Sequence, residues 1–133
     1  MTSVTIKAVI DCDIETVWQI VTSLKDHSWR SDIAKIEVVS EREFIEYTAK
    51  GYETIFNVTD REELRYWAFD IENTSIEGHW SGVFASKDGK TEITFTEEIT
   101  AKKWFMEPFV KGYLQKQQAQ YVADLQRAVA QIK

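Results

Sequence analysis

Between residues 33 and 100 the chain alternates polar and apolar residues through six consecutive stretches, with only short connections between them. A period of two sends successive side chains to opposite faces of a strand. Consecutive strands joined by tight turns pair antiparallel, so most of this chain is committed to one meandering sheet. The stretches cover 33–41, 43–49, 52–60, 64–73, 76–87 and 90–100. One more strand opens the chain, where Val4, Ile6, Ala8 and Ile10 share a face. Asp13 is then placed to cap a short helix carrying Ile14, Val17, Trp18, Val21 and Leu24 at helical spacing. The polar connection LKDHSWRSD follows, with Trp29 inside it and room for another helical turn.

A sheet with one apolar face needs a cover, and only the C-terminal segment is long enough to provide it. Val110, Leu114, Tyr121, Leu125, Ala128 and Ile132 step along it by threes and fours, except for a gap spanned by Gln117 and Gln118. Pro108 is tolerated only in a first helical turn, which sets the start near Glu107 and leaves KKWFM as a separate turn. A helix of about 25 residues is about 37 Å long, enough to cross a whole sheet. The expected architecture is one α+β domain over residues 1–133. Its curved antiparallel sheet of about seven strands wraps around a long C-terminal helix, with one or two short helices after the first strand. A cavity is expected between sheet and helix.

Composition narrows the function. Asp and Glu outnumber Lys and Arg by 22 to 16, for a net charge of −6, and no basic cluster offsets this, so nucleic acid is not an expected partner. Cys12 is the single cysteine, which rules out an intrachain disulfide and a cysteine-based metal cage. His27 and His79 are not spaced with carboxylates as a metal set, and no metal or cofactor is expected. The N-terminus lacks the basic start and long apolar core of a signal peptide, and no run approaches a membrane span. A cytoplasmic protein without membrane insertion is the expectation, either a monomer or a homodimer.

The stretch TEITFTEEIT at 91–100 carries the sharpest candidate. Ile93, Phe95 and Ile99 share one face, and Glu97 falls in line with them. Asp88-Gly89 is a two-residue hairpin signal because both residues tolerate positive φ. Counting outward from it pairs Phe84 with Ile93, Gly82 with Phe95, Trp80 with Glu97 and Gly78 with Ile99. The opposite face then carries His79 beside Glu98 as an exposed charge pair. Glu97 therefore points inward beside Trp80. Three readings stand: a structural carboxyl satisfied by its neighbours, a polar anchor for a ligand, or a general acid or base with a tuned pKa.

Other inward groups follow from the same alternation. Trp67, Phe69 and Ile71 share a face with Arg65, which is expected at an exposed rim. Tyr52, Thr54, Phe56 and Val58 share another, so Thr54 is a second inward polar group. At least one of Gln117 and Gln118 should face the sheet, with Phe109, Val110 and Tyr113 on the lid side. His27 is expected in solvent, and Cys12 as a small buried residue.

The order of elements resembles the START-like helix-grip (SRPBCC) superfamily, especially its small bacterial polyketide cyclase/dehydrase-like members. The resemblance is carried by VWQIV at 17–21, Trp29 within DHSWRSDI, IEVVSE at 36–41, GHWSGVF at 78–84, KTEITFTEEI at 90–99 and YLQKQQAQYVADLQRAV at 113–129. It implies a pocket for a small hydrophobic or amphipathic molecule, lipid- or polyketide-like. The residues that would line it are Trp29, Thr54, Phe56, Trp67, Phe69, Trp80, Phe95, Glu97, Phe109, Tyr113 and Gln117. Binding without catalysis is the leading expectation. The alternatives are a polyketide cyclase or dehydratase using Glu97 as acid or base, with Tyr113 as its partner, and a co-chaperone-like interaction module with a filled interior.

Overall fold

The computed structural model describes residues 1–132. Strand β1 (Thr2–Ile10) leads into helix α1 (Ile14–Thr22), and then come β2 (Lys35–Val38), β3 (Glu43–Tyr47), β4 (Glu53–Glu62), β5 (Tyr66–Glu72), β6 (Ile76–Lys87) and β7 (Lys90–Ala101). A single 3-10 turn (Trp104–Met106) precedes α2 (Glu107–Ile132). The strands form one antiparallel sheet in the order β1-β7-β6-β5-β4-β3-β2, a meander with β1 folded back against its last strand. That return sets Val4 opposite Glu97, Ile6 opposite Phe95 and Ala8 opposite Ile93, so the apolar face of β1 continues that of β7.

The hairpin at the Asp88-Gly89 turn closes as its residue types dictate, with φ of 53° and 80° at the two positions. The β6–β7 register is the one counted from it, including Trp80 opposite Glu97 and Gly82 opposite Phe95. Gly82 has a packing reason as well. A Cβ there would stand 2.5 Å from the Trp80 ring, so the bare backbone is where that indole lies.

Asp13 caps α1 by accepting from the Thr16 N–H at 3.1 Å. Val17, Trp18 and Val21 bury the inner side of α1, and Trp18 meets Phe84 edge-on at 4.9 Å. The connection after α1 forms turns only, with no second helix. Strand β5 starts at Tyr66 and not at residue 64, because Leu64 takes a left-handed turn at φ 66°. Tyr52 does not join the apolar face of β4; it stands outside the strand and is exposed.

The buried stripe of α2 runs through Val110, Leu114, Gln118, Val122, Leu125 and Val129. Ala128 is half-buried and Ile132 exposed, so the stripe drifts away from the expected positions as the helix crosses the sheet. Asp124, on the same helix, is also buried. Its Oδ2 accepts from the Ser31 N–H and hydroxyl at 2.9 and 2.8 Å, and its Oδ1 accepts from Gln120 and Arg127. Arg127 also donates to the Trp29 carbonyl. These bonds fasten the loop between α1 and β2 to the last helix.

Candidate functional site

Helix α2 lies over β1 and β7, and α1 packs against one end of β6 and β7, which leaves the rest of the concave face of the middle strands without a helix. What remains between their concave face, the α1–β2 loop and the first half of α2 is a cavity of about 220 Å³. Its floor is aromatic. Phe44 stacks on Phe56 at 4.9 Å, Phe69 stacks on Trp80 at 4.7 Å, and Trp67 meets Phe69 edge-on at 5.1 Å. Phe95 joins Trp80 to Tyr121 of α2. These rings follow from alternation on β3 to β7, which sends every second side chain to one face.

The polar groups sit among the rings. Glu97 faces the cavity from β7, and burial pushes its carboxyl up to about 7. The Gln118 side chain and the Arg30 guanidinium oppose that shift, while Glu46 adds to it. Gln118 itself donates to the Val4 carbonyl at 3.1 Å, which holds its amide between β1 and the cavity. Tyr113 is raised by burial and by the nearby Glu97 charge. Thr54 accepts from Asn73, just past the end of β5, at 3.2 Å.

A second polar cluster comes from the loop. Arg30 bonds both Asp32 oxygens, at 3.1 and 2.8 Å, and both Glu46 oxygens, at 2.7 and 3.3 Å. Its guanidinium lies 5.1 Å from the centre of the Tyr121 ring. Burial opposes the Arg30 charge, but Glu46, Tyr121 and Asp32 outweigh it and hold its pKa above the ordinary value. Burial raises the Glu46 carboxyl, against the pull of Arg30.

Ten of the eleven candidate lining residues meet at this cavity: Trp29, Thr54, Phe56, Trp67, Phe69, Trp80, Phe95, Glu97, Tyr113 and Gln117. Phe109 does not. It is 67 % exposed, beside Trp104, Phe105 and Met106, because the first turn of α2 carries it outward while Val110 takes the buried position. His79 pairs with Asp70 at 2.8 Å and not with Glu98, because β5 sets Asp70 opposite it on the outer face of the sheet. His27 is not free in solvent; it is half-buried and lines the cavity.

Gln118, one of the glutamine pair expected to supply a sheet-facing side chain, lines the cavity together with Gln117, and Arg30, Glu46, Tyr121 and Asn73 line it without having been proposed as ligand-binding residues. Glu46 carried a readable signal, since it alternates with Phe44 as Glu97 alternates with Phe95. Arg30 carried none, because it lies in an irregular loop with no period. Among the described residues no group of three or more His, Cys, Asp or Glu side chains is arranged to hold a metal ion.

An antiparallel sheet gripping one long helix over an aromatic cavity defines a START-like helix-grip protein. The family model for polyketide cyclase/dehydrase and lipid transport matches residues 1–130, and the chain belongs to that family. No curated protein matches it in sequence. Among solved structures it is similar to a START superfamily protein from Mycobacterium smegmatis, with a TM-score of 0.89 and 12 % identity over 98 % of this chain and 99 % of that one. A conserved protein from Geobacillus kaustophilus aligns with a TM-score of 0.84 and 12 % identity, covering 98 % of this chain and 96 % of that one. The di-domain ARO/CYC protein BexL of the BE-7585A biosynthetic pathway aligns at 0.83 and 9 % identity, over 98 % of this chain and 47 % of that one. At these identities the likeness is one of fold.

Proposed function

We propose that this protein binds a small, largely apolar molecule in the cavity between its sheet and α2. The observation that carries the reading is the wall itself: stacked aromatic rings interrupted by a few inward polar groups. Such a lining is what a small-molecule site needs, apolar area for affinity and isolated polar groups for orientation. Asp124 is a buried carboxyl whose anion is held by Ser31, Gln120 and Arg127, whereas Glu97 beside Trp80 is left costly in its charged form, which favours a ligand-facing role.

Glu97 also supports a second reading. A carboxyl whose pKa stands near 7 exchanges protons readily at neutral pH, as a dehydration or enolisation would require. Tyr113 lines the same cavity from α2, but no hydrogen bond joins it to Glu97 among the described residues, so binding remains the preferred function.

Native mass spectrometry of freshly purified protein, compared with the same sample denatured, tests the proposal. The expected result is an added mass that vanishes on denaturation. Turnover of an added cyclic ketone or hydroxyketone that Glu97→Gln abolishes would establish the enzymatic reading instead.

A further inference from the structure

Most of the cavity's polar groups already have partners in the protein. Four of the five N–H groups of Arg30 are engaged by Asp32 and Glu46, Thr54 by Asn73, and the Gln118 amide by Val4. Two buried donors have none. The indole Nε1 atoms of Trp67 and Trp29 are shielded from solvent, lack any acceptor among the described residues, and both belong to residues lining the cavity. Trp67 is only 5 % exposed and stands on the sheet wall. Trp29 comes from the opposite wall, where its ring meets Tyr121 edge-on at 5.2 Å. A buried Trp ordinarily finds a partner for its N–H, because leaving the donor unmade forfeits most of a hydrogen bond.

Charge and size restrict what can supply that partner. The Arg30–Asp32–Glu46 cluster carries one cation and two carboxyls, so it offers no free positive charge to an organic anion. A cation brings no acceptor for an indole. The volume of about 220 Å³ lies above the roughly 150 Å³ that admits a benzene and below the roughly 300–1,000 Å³ of drug-sized sites. One or two rings fit that space; a sterol or a tetracyclic skeleton does not.

We infer that the ligand is a neutral one- or two-ring molecule bearing a carbonyl-type oxygen, held by the Trp67 and Trp29 indole N–H groups against the aromatic floor. The inference rests on the binding function proposed above and specifies its ligand class. Thr54 and Gln117 sit beside the same space and serve a further hydroxyl.

Isothermal titration of the intact protein with four compounds of one skeleton provides the test: indane, 1-indanone, 1-aminoindane and indane-1-carboxylate. The ketone is expected to bind about tenfold more tightly than indane, the difference one to two buried hydrogen bonds make. The amine and the acid should bind no better than the hydrocarbon. Trp67→Phe keeps an aromatic side chain and removes the donor, so whatever the smaller ring does to both affinities, the ratio of ketone to indane binding should fall towards one. Should Trp67→Phe fail to fold, Trp29→Phe is expected to reduce the same preference, and a full preference retained there overturns the inference. Equal binding of ketone and hydrocarbon, or tightest binding of the amine or acid, overturns the carbonyl assignment alone. Absence of binding by all four overturns the one- or two-ring assignment, while the added mass sought by native mass spectrometry decides the binding function separately.

Discussion

Replacing Glu97 by Gln should make the protein more stable above pH 7 and leave it nearly unchanged at pH 4.5. In the folded state burial raises this carboxyl from 4.5 to about 7. The folded chain therefore holds a proton that the unfolded chain has released across that window, and stability falls as pH rises through it. Each tenfold difference in proton affinity is worth about 1.4 kcal/mol. The displacement thus costs the wild type about 3 kcal/mol once the carboxyl is fully ionised. Gln imitates the protonated side chain in shape and cannot ionise, so the variant escapes this cost. For a chain of this size about 3 kcal/mol corresponds to roughly 10 °C in Tm. Thermal unfolding followed by circular dichroism at pH 4.5, 6, 7 and 8 on both proteins isolates the residue, because all other titrating groups are common to the pair. The expected curves nearly coincide at pH 4.5, separate progressively between 4.5 and 7, and keep a constant offset above that. Curves that run parallel across the whole range would refute a carboxyl raised by burial at this position.

Removing Arg30 with Arg30→Met should destabilise by about 3–5 kcal/mol, because Glu46 and Asp32 lose their counter-charge in a buried setting; chemical denaturation of the single variant and of a double variant with Glu46→Gln, which should recover part of the loss, measures it. Gly82→Ala places a methyl 2.5 Å from Trp80, so the indole must leave its stack on Phe69, at about 1–3 kcal/mol and with a shift in tryptophan emission. Burial works against the Asp124 anion, but the Ser31, Gln120 and Arg127 donors outweigh it and hold its pKa below the ordinary value. Its contribution is present above pH 4 and lost as pH falls further, so Asp124→Asn should narrow its stability deficit in that acid range and speed hydrogen exchange across residues 23–34 at neutral pH. Phe109→Ser, outside the cavity, should leave the affinity for 1-indanone unchanged in the same titration.

The fold and the aromatic floor were legible because both rest on period. Alternation names the inward residues of a strand once its direction is known, and one hairpin fixed the β6–β7 register down to Trp80 facing Glu97. The helix was readable in length and start, yet its buried stripe shifted to Val122 and Val129, since several faces of a long helix satisfy steps of three and four almost equally. Phe109 was misplaced for the same reason. His79 chose Asp70 over Glu98 because an outer-face side chain on a central strand has neighbours on both sides, and counting one hairpin reveals only one of them.

The sequence by itself determined the order of elements, the antiparallel meander and the inward set of each strand, all consequences of local geometry with short-range pairing. Only the tertiary structure decided what those inward groups meet. Arg30 sits in a loop without periodicity, and nothing local to it indicates that Glu46, sixteen residues on, will face it. The pinning of that loop by Asp124, 93 residues from Ser31, depends on where α2 ends its path across the sheet. The cavity has the same origin: it is the space left where a helix covers one side of a sheet and a loop closes over the other, and space between elements has no signature within any one of them.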